Sequence, residues 1–139
     1  MQFDEQTLRL RASFRTICVH AGVESWLLRH EAELYTSSFT ISEISFGIER
    51  LPASRRRERL QRDLLEIVER MGDRILRFDT RTALMWGKRR ASTVRSGTLL
   101  PIVDSHIAAI ALRHGLTVAT RNTQDFDRAG IKTANPFEE

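Results

Sequence analysis

The sequence predicts an α/β fold with a central, mostly parallel, short-stranded sheet flanked by helices on both faces. Three observations carry this. Short apolar stretches of strand type alternate with helical stretches of about 10 to 17 residues, the pattern of βα units. Gly72 and Gly115 stand just past the last periodic residue of two of those helices, where a left-handed C-terminal cap is wanted. No repeat and no Pro/Gly/Ser-rich linker divides the 139 residues, a length that suits one domain with a real core.

Val23–His30 reads as a short helix anchored by Trp26 and Leu27, and Tyr35–Ser38 as a short strand. Thr40 opens a helix over Ile41–Arg50, which the Leu51-Pro52 step ends because the residue before proline avoids the α region. Arg55–Met71 carries the strongest helical signal: Leu60, Leu64, Ile67, Val68 and Met71 form one apolar stripe. Ile75–Phe78 is a strand, and Thr80–Arg95 a helix with Ala83, Leu84 and Trp86–Gly87 on its inner side. Gly97–Val103 is a loop leading into a helix over Asp104–His114; Leu116–Thr120 is a strand, and Ile131–Thr133 an edge strand before Asn135-Pro136.

Composition narrows the function. With 41% hydrophobic and 29% charged residues the chain is globular in type. Its single cysteine, Cys18, excludes an internal disulfide and a multi-cysteine zinc site. There is no cationic start followed by an apolar segment, and the longest apolar run, Ile107–Leu112, has six residues against the roughly 20 of a membrane span. The expectation is a cytoplasmic protein that does not enter a membrane. Net charge is +4, and two segments hold the excess: Arg55–Arg62 has five arginines against Glu58, and Arg81–Arg95 has five cations and no acid. The remainder is net acidic, so one part could grip a polyanion while another binds cations.

Three acids lie where α/β folds build their sites, beyond strand ends and at helix starts: Glu43, Asp104 and Asp125. Each has a purely local reading. Thr40-x-x-Glu43 fits a capping box, and Asp104 and Asp125 fit N-caps. Together on one rim, three carboxylates would repel unless cations neutralised them. Oxygen donors without Cys or His suit Mg²⁺ or Mn²⁺ over zinc, and such ions serve phosphodiester hydrolysis.

The chain resembles the PIN-domain ribonuclease toxins of bacterial type II toxin–antitoxin systems, in their VapC/FitB-like, plasmid-stability branch. The resemblance is carried by Leu34-Tyr35-Thr36-Ser37-Ser38-Phe39-Thr40-Ile41-Ser42-Glu43-Ile44 with Gly47 and Leu51-Pro52. It continues in Pro101-Ile102-Val103-Asp104-Ser105-His106 and the helix behind it, in Gly115–Asn122 with Asp125-Phe126, and in Asn135-Pro136-Phe137. It implies a PIN-like domain over residues 23–139 behind a divergent N-terminal segment, 1–22. By that resemblance Glu43, Asp104 and Asp125 would be three of four acidic metal-site residues, with Thr120 and Asn122 as polar support. It further implies Mg²⁺- or Mn²⁺-dependent RNA cleavage, homodimerisation and inhibition by a cognate antitoxin.

The family's first strand ends in Asp-Thr-Asn, and that tripeptide is absent here. Asp4 is one stand-in; the better strand, Thr16–Val19, is followed instead by His20, and loss of the ligand is the third possibility. Two functions therefore remain open: a metal-dependent endoribonuclease acting as a toxin, or a catalytically impaired PIN fold that dimerises and binds an antitoxin or RNA. In the second basic segment Arg89, Arg90 and Arg95 are the expected RNA contacts.

Overall fold

The structure, a computed structural model, describes residues 21–138. Cys18, His20 and Asp4 lie outside the described residues. In chain order the elements are α1 (Ala21–Arg29), β1 (Thr36–Ser37), α2 (Ser38–Glu49), α3 (Arg55–Met71), β2 (Ile75–Leu76), α4 (Thr80–Ser96), α5 (Ile102–Arg113), β3 (Val118–Ala119), α6 (Thr123–Arg128) and β4 (Thr133–Ala134), with 3₁₀ turns at Glu31–Glu33 and Gly72–Arg74. The βα alternation holds, but each strand is only two residues long and helices dominate. β1 pairs with β2, and β3 with β4; the second pair is parallel, with Val118 opposite Thr133 and Ala119 opposite Ala134. Among the described residues no helix is long and apolar enough to cross a membrane.

The described residues fall into two compact units. The first comprises those up to Thr36 together with Thr40–Ile75. Its core is the face-to-face packing of α2 and α3: Ile48, Leu60 and Leu64 are buried, and Ile41, Ile44, Leu51 and Val68 pack around them. α3 forms as its stripe dictates. The Ser54 hydroxyl caps it by accepting from the Arg57 N–H at 3.2 Å, and Gly72 ends it at φ +48°, a conformation closed to most L side chains. A short charged contact fixes the turn between the helices: Glu49 pairs with Arg57 and accepts from Gln61 Nε2 at 2.6 Å, while Arg57 also donates to the Leu51 carbonyl. The Gln61 bond first, and then Arg57, hold the Glu49 carboxyl below its ordinary pKa. Arg74 Nη1 donates to the Glu31 carbonyl at 2.5 Å and so ties the end of α3 to the segment after α1.

The second unit comprises Ser37–Phe39 together with the described residues from Leu76 onward. α4 begins at Asp79, whose Oδ1 accepts from both the N–H and the hydroxyl of the wholly buried Thr82, at 2.8 and 2.7 Å. Those two bonds depress the Asp79 pKa. α4 packs on α5, whose central residues Ala108–Ala111 are all buried. One cluster closes this unit: Leu100, Ala108, Ala111, Val118, Phe126 and Ile131.

Several sequence expectations need correction, among them the edge strand expected over Ile131–Thr133, which lies at Thr133–Ala134. Helix α2 starts at Ser38, two residues before Thr40, so Glu43 is not in its first turn and makes no capping box. Helix α5 starts at Ile102 behind Pro101, so Asp104 is its third residue and not its N-cap. Asp125 is likewise the third residue of α6 and not its N-cap, a position that Asn122 holds. Leu84 faces solvent on α4, 73% exposed, rather than the interior, and Gly87 is exposed as well.

Adjacent residues of α3 test the packing. Leu64→Ala should lower stability by about 2–5 kcal/mol in urea unfolding, the range for emptying a core leucine site. Leu65→Ala, at a side chain 68% exposed, should shift it by no more than about 0.5 kcal/mol.

Candidate active site

The second unit brings two of the three sequence-predicted acids into electrostatic reach. Asp104 stands half-buried in the first turn of α5, where the positive end of the helix dipole favours a carboxylate. Asp125 occupies the equivalent turn of α6. Burial, and after it the negative charge of Asp125, raise the Asp104 pKa above the ordinary carboxylate value. A carboxyl that is both desolvated and beside a second carboxylate is poorly suited to carry its charge alone.

The residues around Asp125 set its orientation. The Asn122 side-chain amide donates to Asp125 Oδ2 at 2.9 Å, and the Asn122 N–H donates to Thr120 Oγ1 at 3.1 Å. Thr120 follows β3 directly, so the parallel pairing with β4 anchors the start of this chain of bonds; the Thr120 N–H itself donates to the Ala134 carbonyl. The other oxygen, Asp125 Oδ1, lies 3.9 Å from Arg128, a long and exposed ion pair of little energetic weight.

The first turn of α5 is clamped by aromatic rings. His106 stacks on Phe39 with ring centroids 4.7 Å apart, meets Phe78 edge-on at 4.8 Å and lies against Trp86 at 4.8 Å. Burial and the nearby Arg90 charge lower the His106 pKa, and its Nδ1 is buried without a hydrogen-bond partner among the described residues, so the ring serves as a packing group. Trp86 donates its indole N–H to Ser105 Oγ at 2.9 Å, and Ser105 in turn donates to the Ile102 carbonyl. Sequence reasoning missed this clamp around Asp104. The aromatic residues at 78 and 86 were its available signal, but nothing local named their partner. A cavity of about 30 Å³ between α4 and α5, lined by Trp86, Arg90, Ser105, Ala109 and Ile131 among others, has room for water and not for a nucleotide.

The remaining predicted residues are placed as follows. Glu43 is exposed on α2, in the first unit. Among the described residues no three His, Cys, Asp or Glu side chains are gathered closely enough to hold a metal ion. The donor set that the second unit assembles is thus a pair of carboxylates with an amide behind one of them. That chemistry fits a hard divalent cation, since only oxygen is offered and the like charges need neutralising. Two of the three arginines expected to contact RNA are spent on structure: Arg89 donates to the Ala129 carbonyl at 2.8 Å and Arg90 to the Leu100 carbonyl at 2.6 Å. Arg95 is exposed.

Comparison with known proteins agrees with the sequence resemblance. The PIN domain family model matches residues 19–132. The chain is 37% identical to VapC ribonuclease Y4jK of Sinorhizobium fredii, over 84% of this chain and 85% of that one. It is 34% identical to the plasmid stability protein StbB of Pseudomonas syringae pv. tomato, over 86% and 87% respectively. Among solved structures, FitAcB from Neisseria gonorrhoeae superposes with a TM-score of 0.76 at 30% identity, covering 86% of this chain and 88% of that one.

The raised Asp104 pKa fixes the sign of a pH effect. Its folded-state value lies above the unfolded one, so its contribution to stability is complete at low pH and is lost as pH rises through the folded value. Without divalent ions, Asp104→Asn should therefore gain stability relative to the parent as pH is raised across the carboxylate range, read by urea midpoints. Asp125→Asn should move the Asp104 carboxyl titration, followed by carbon NMR, downward toward the ordinary value.

Proposed function

The chain belongs to the PIN domain family, and from that premise we propose that it is a metal-dependent endoribonuclease, the toxin of a toxin–antitoxin pair of plasmid-stability type. The observation that carries the proposal is the half-buried Asp104 in the first turn of α5, within electrostatic reach of Asp125 in the first turn of α6. Relatives at 34–37% identity bear the names ribonuclease and plasmid stability protein, which supports the same reading.

In this proposal Asp104 and Asp125 hold the cation, and Asn122 with Thr120 keep the Asp125 carboxylate aimed. Glu43 is assigned to the same chemistry by the family resemblance alone. A bound Mg²⁺ or Mn²⁺ would acidify a water and offset the charge that develops on the phosphoryl group. The aromatic clamp on His106 keeps the first turn of α5 from shifting, which matters because misplacing a catalytic group costs rate steeply. The partners we assign are RNA as substrate, a cognate antitoxin and a second copy of the chain, all in the cytoplasm.

A second reading has one observation in its favour: the absence, among the described residues, of a gathered group of three ligands. On that reading the chain is a PIN fold that binds an antitoxin or RNA without cutting.

The experiment is an RNA cleavage assay with Mg²⁺ or Mn²⁺, paired with calorimetric titration of Mn²⁺. Cleavage should stop with EDTA and fall by about a hundredfold or more in Asp104→Asn and Glu43→Gln, the scale for removing one preorganised charge. Full activity in either variant excludes the assignment. An inert parent protein that shows no saturable Mn²⁺ binding supports the second reading.

A further inference from the structure

We propose that the N-terminal half of α3 is a docking strip for the sugar–phosphate backbone of an RNA strand, gripped by Arg55, Arg56, Arg59 and Arg62; this rests on the ribonuclease reading for the identity of the polyanion. All four side chains are exposed, and none makes a hydrogen bond or ion pair with a described residue. The fifth arginine of the segment, Arg57, is the one that folding consumes, through Glu49 and the Leu51 carbonyl.

Position and spacing support the assignment. Arg55, Arg59 and Arg62 recur at four and three residues and so share a face, with Arg56 beside them. At 1.5 Å per residue they span about 10 Å, the length of about three stacked nucleotides of one strand. The placement also works against the helix itself. Three of the four first-turn residues are arginines, at the end where the dipole favours acids, and only Glu58 opposes them. Charges set at the wrong end of a helix gain a purpose if a polyanion covers them.

The neighbouring chemistry favours a nucleic-acid backbone over an acidic protein. Between Arg55 and Arg62 no apolar side chain is exposed; Leu60 turns into the core. A protein partner would need an apolar or aromatic anchor there. The cations of α4 differ on both counts. Arg81, Lys88 and Arg95 are seven residues apart with the exposed Leu84 and Val94 between them, whereas the exposed Leu65 of α3 lies beyond Arg62 and outside the arginine strip. The charge density for a sequence-independent grip is on α3.

The test is equilibrium binding of a fluorescently labelled single-stranded RNA to the full chain in EDTA, across a salt series. Each phosphate contact on a single strand contributes about 0.7 to the slope of log affinity against log salt. The fourfold variant R55Q/R56Q/R59Q/R62Q should reduce that slope by roughly 2 to 3 and weaken binding alike for unrelated sequences, and R55Q/R59Q by about half as much. An unchanged slope in the fourfold variant overturns the proposal, as does a slope lost instead in R81Q/K88Q/R95Q. Loss of antitoxin binding with RNA binding intact reassigns the strip to an acidic protein surface and overturns it too. Because the chelator blocks cleavage, the outcome is separate from the nuclease reading: a protein that cuts no RNA can still show the slope change, and an active nuclease can lack it.

Discussion

The cluster formed by Leu100, Ala108, Ala111, Val118, Phe126 and Ile131 is the constraint on which the candidate site depends. Its members come from the loop before α5, from α5, from β3, from α6 and from the approach to β4. Excluding these side chains from water fixes those segments against one another, and the polar residues they carry follow. Asp104 is set four residues before Ala108 on the same helix, Thr120 just past Val118 and Ala119, and Asp125 next to Phe126. Apolar burial, which has no direction of its own, thus brings two carboxylates within electrostatic reach of each other. The aromatic rings around His106 and the Trp86–Ser105 hydrogen bond then pin the turn that holds Asp104.

Charge in this chain divides between groups spent on folding and groups left over. Arg57, Arg74, Arg89 and Arg90 are spent: each donates to a backbone carbonyl distant in sequence or in a neighbouring loop. Their fork of donors suits that task better than a lysine would. Arg55, Arg56, Arg59 and Arg62 are left over among the described residues, and so is part of the negative charge at Asp104 and Asp125. A protein that binds a polyanion and a cation needs both kinds of surplus, and here each kind is concentrated on its own helix starts.

The legibility of the fold varied from element to element for physical reasons. α3 is readable to the residue because every determinant is local: Ser54 as cap, the stripe from Leu60 to Met71, and Gly72 in a backbone conformation others avoid. α4 is nearly as plain. The starts of α2 and α5 are not, because capping arguments favoured Thr40 and Asp104 as boundaries, whereas the helices begin earlier, at Ser38 and directly behind Pro101, which holds the N-cap position in extended backbone. α6 is the least legible helix: a cap at Asp125 is the only sign of it, and it begins two residues earlier. Six residues with one apolar side chain have no periodicity, and the helix exists because Phe126, 3% exposed, is held in the core. Leu84 shows the converse error, an apolar residue on a helix assumed to face inward.

The sequence by itself determined the βα order, the longest helices, the family, and the oxygen-only character of the candidate ligands. These are carried by periodicities and motifs that span a few turns of chain. Only the tertiary structure decided that Asp104 and Asp125 come within electrostatic reach, that His106 packs in an aromatic clamp, and that Arg89 and Arg90 are occupied while Arg55, Arg56, Arg59 and Arg62 have no partner among the described residues. Coulomb and hydrogen-bonding interactions act over a few ångströms of space. Which residues come that close, when tens of positions separate them along the chain, is settled by packing.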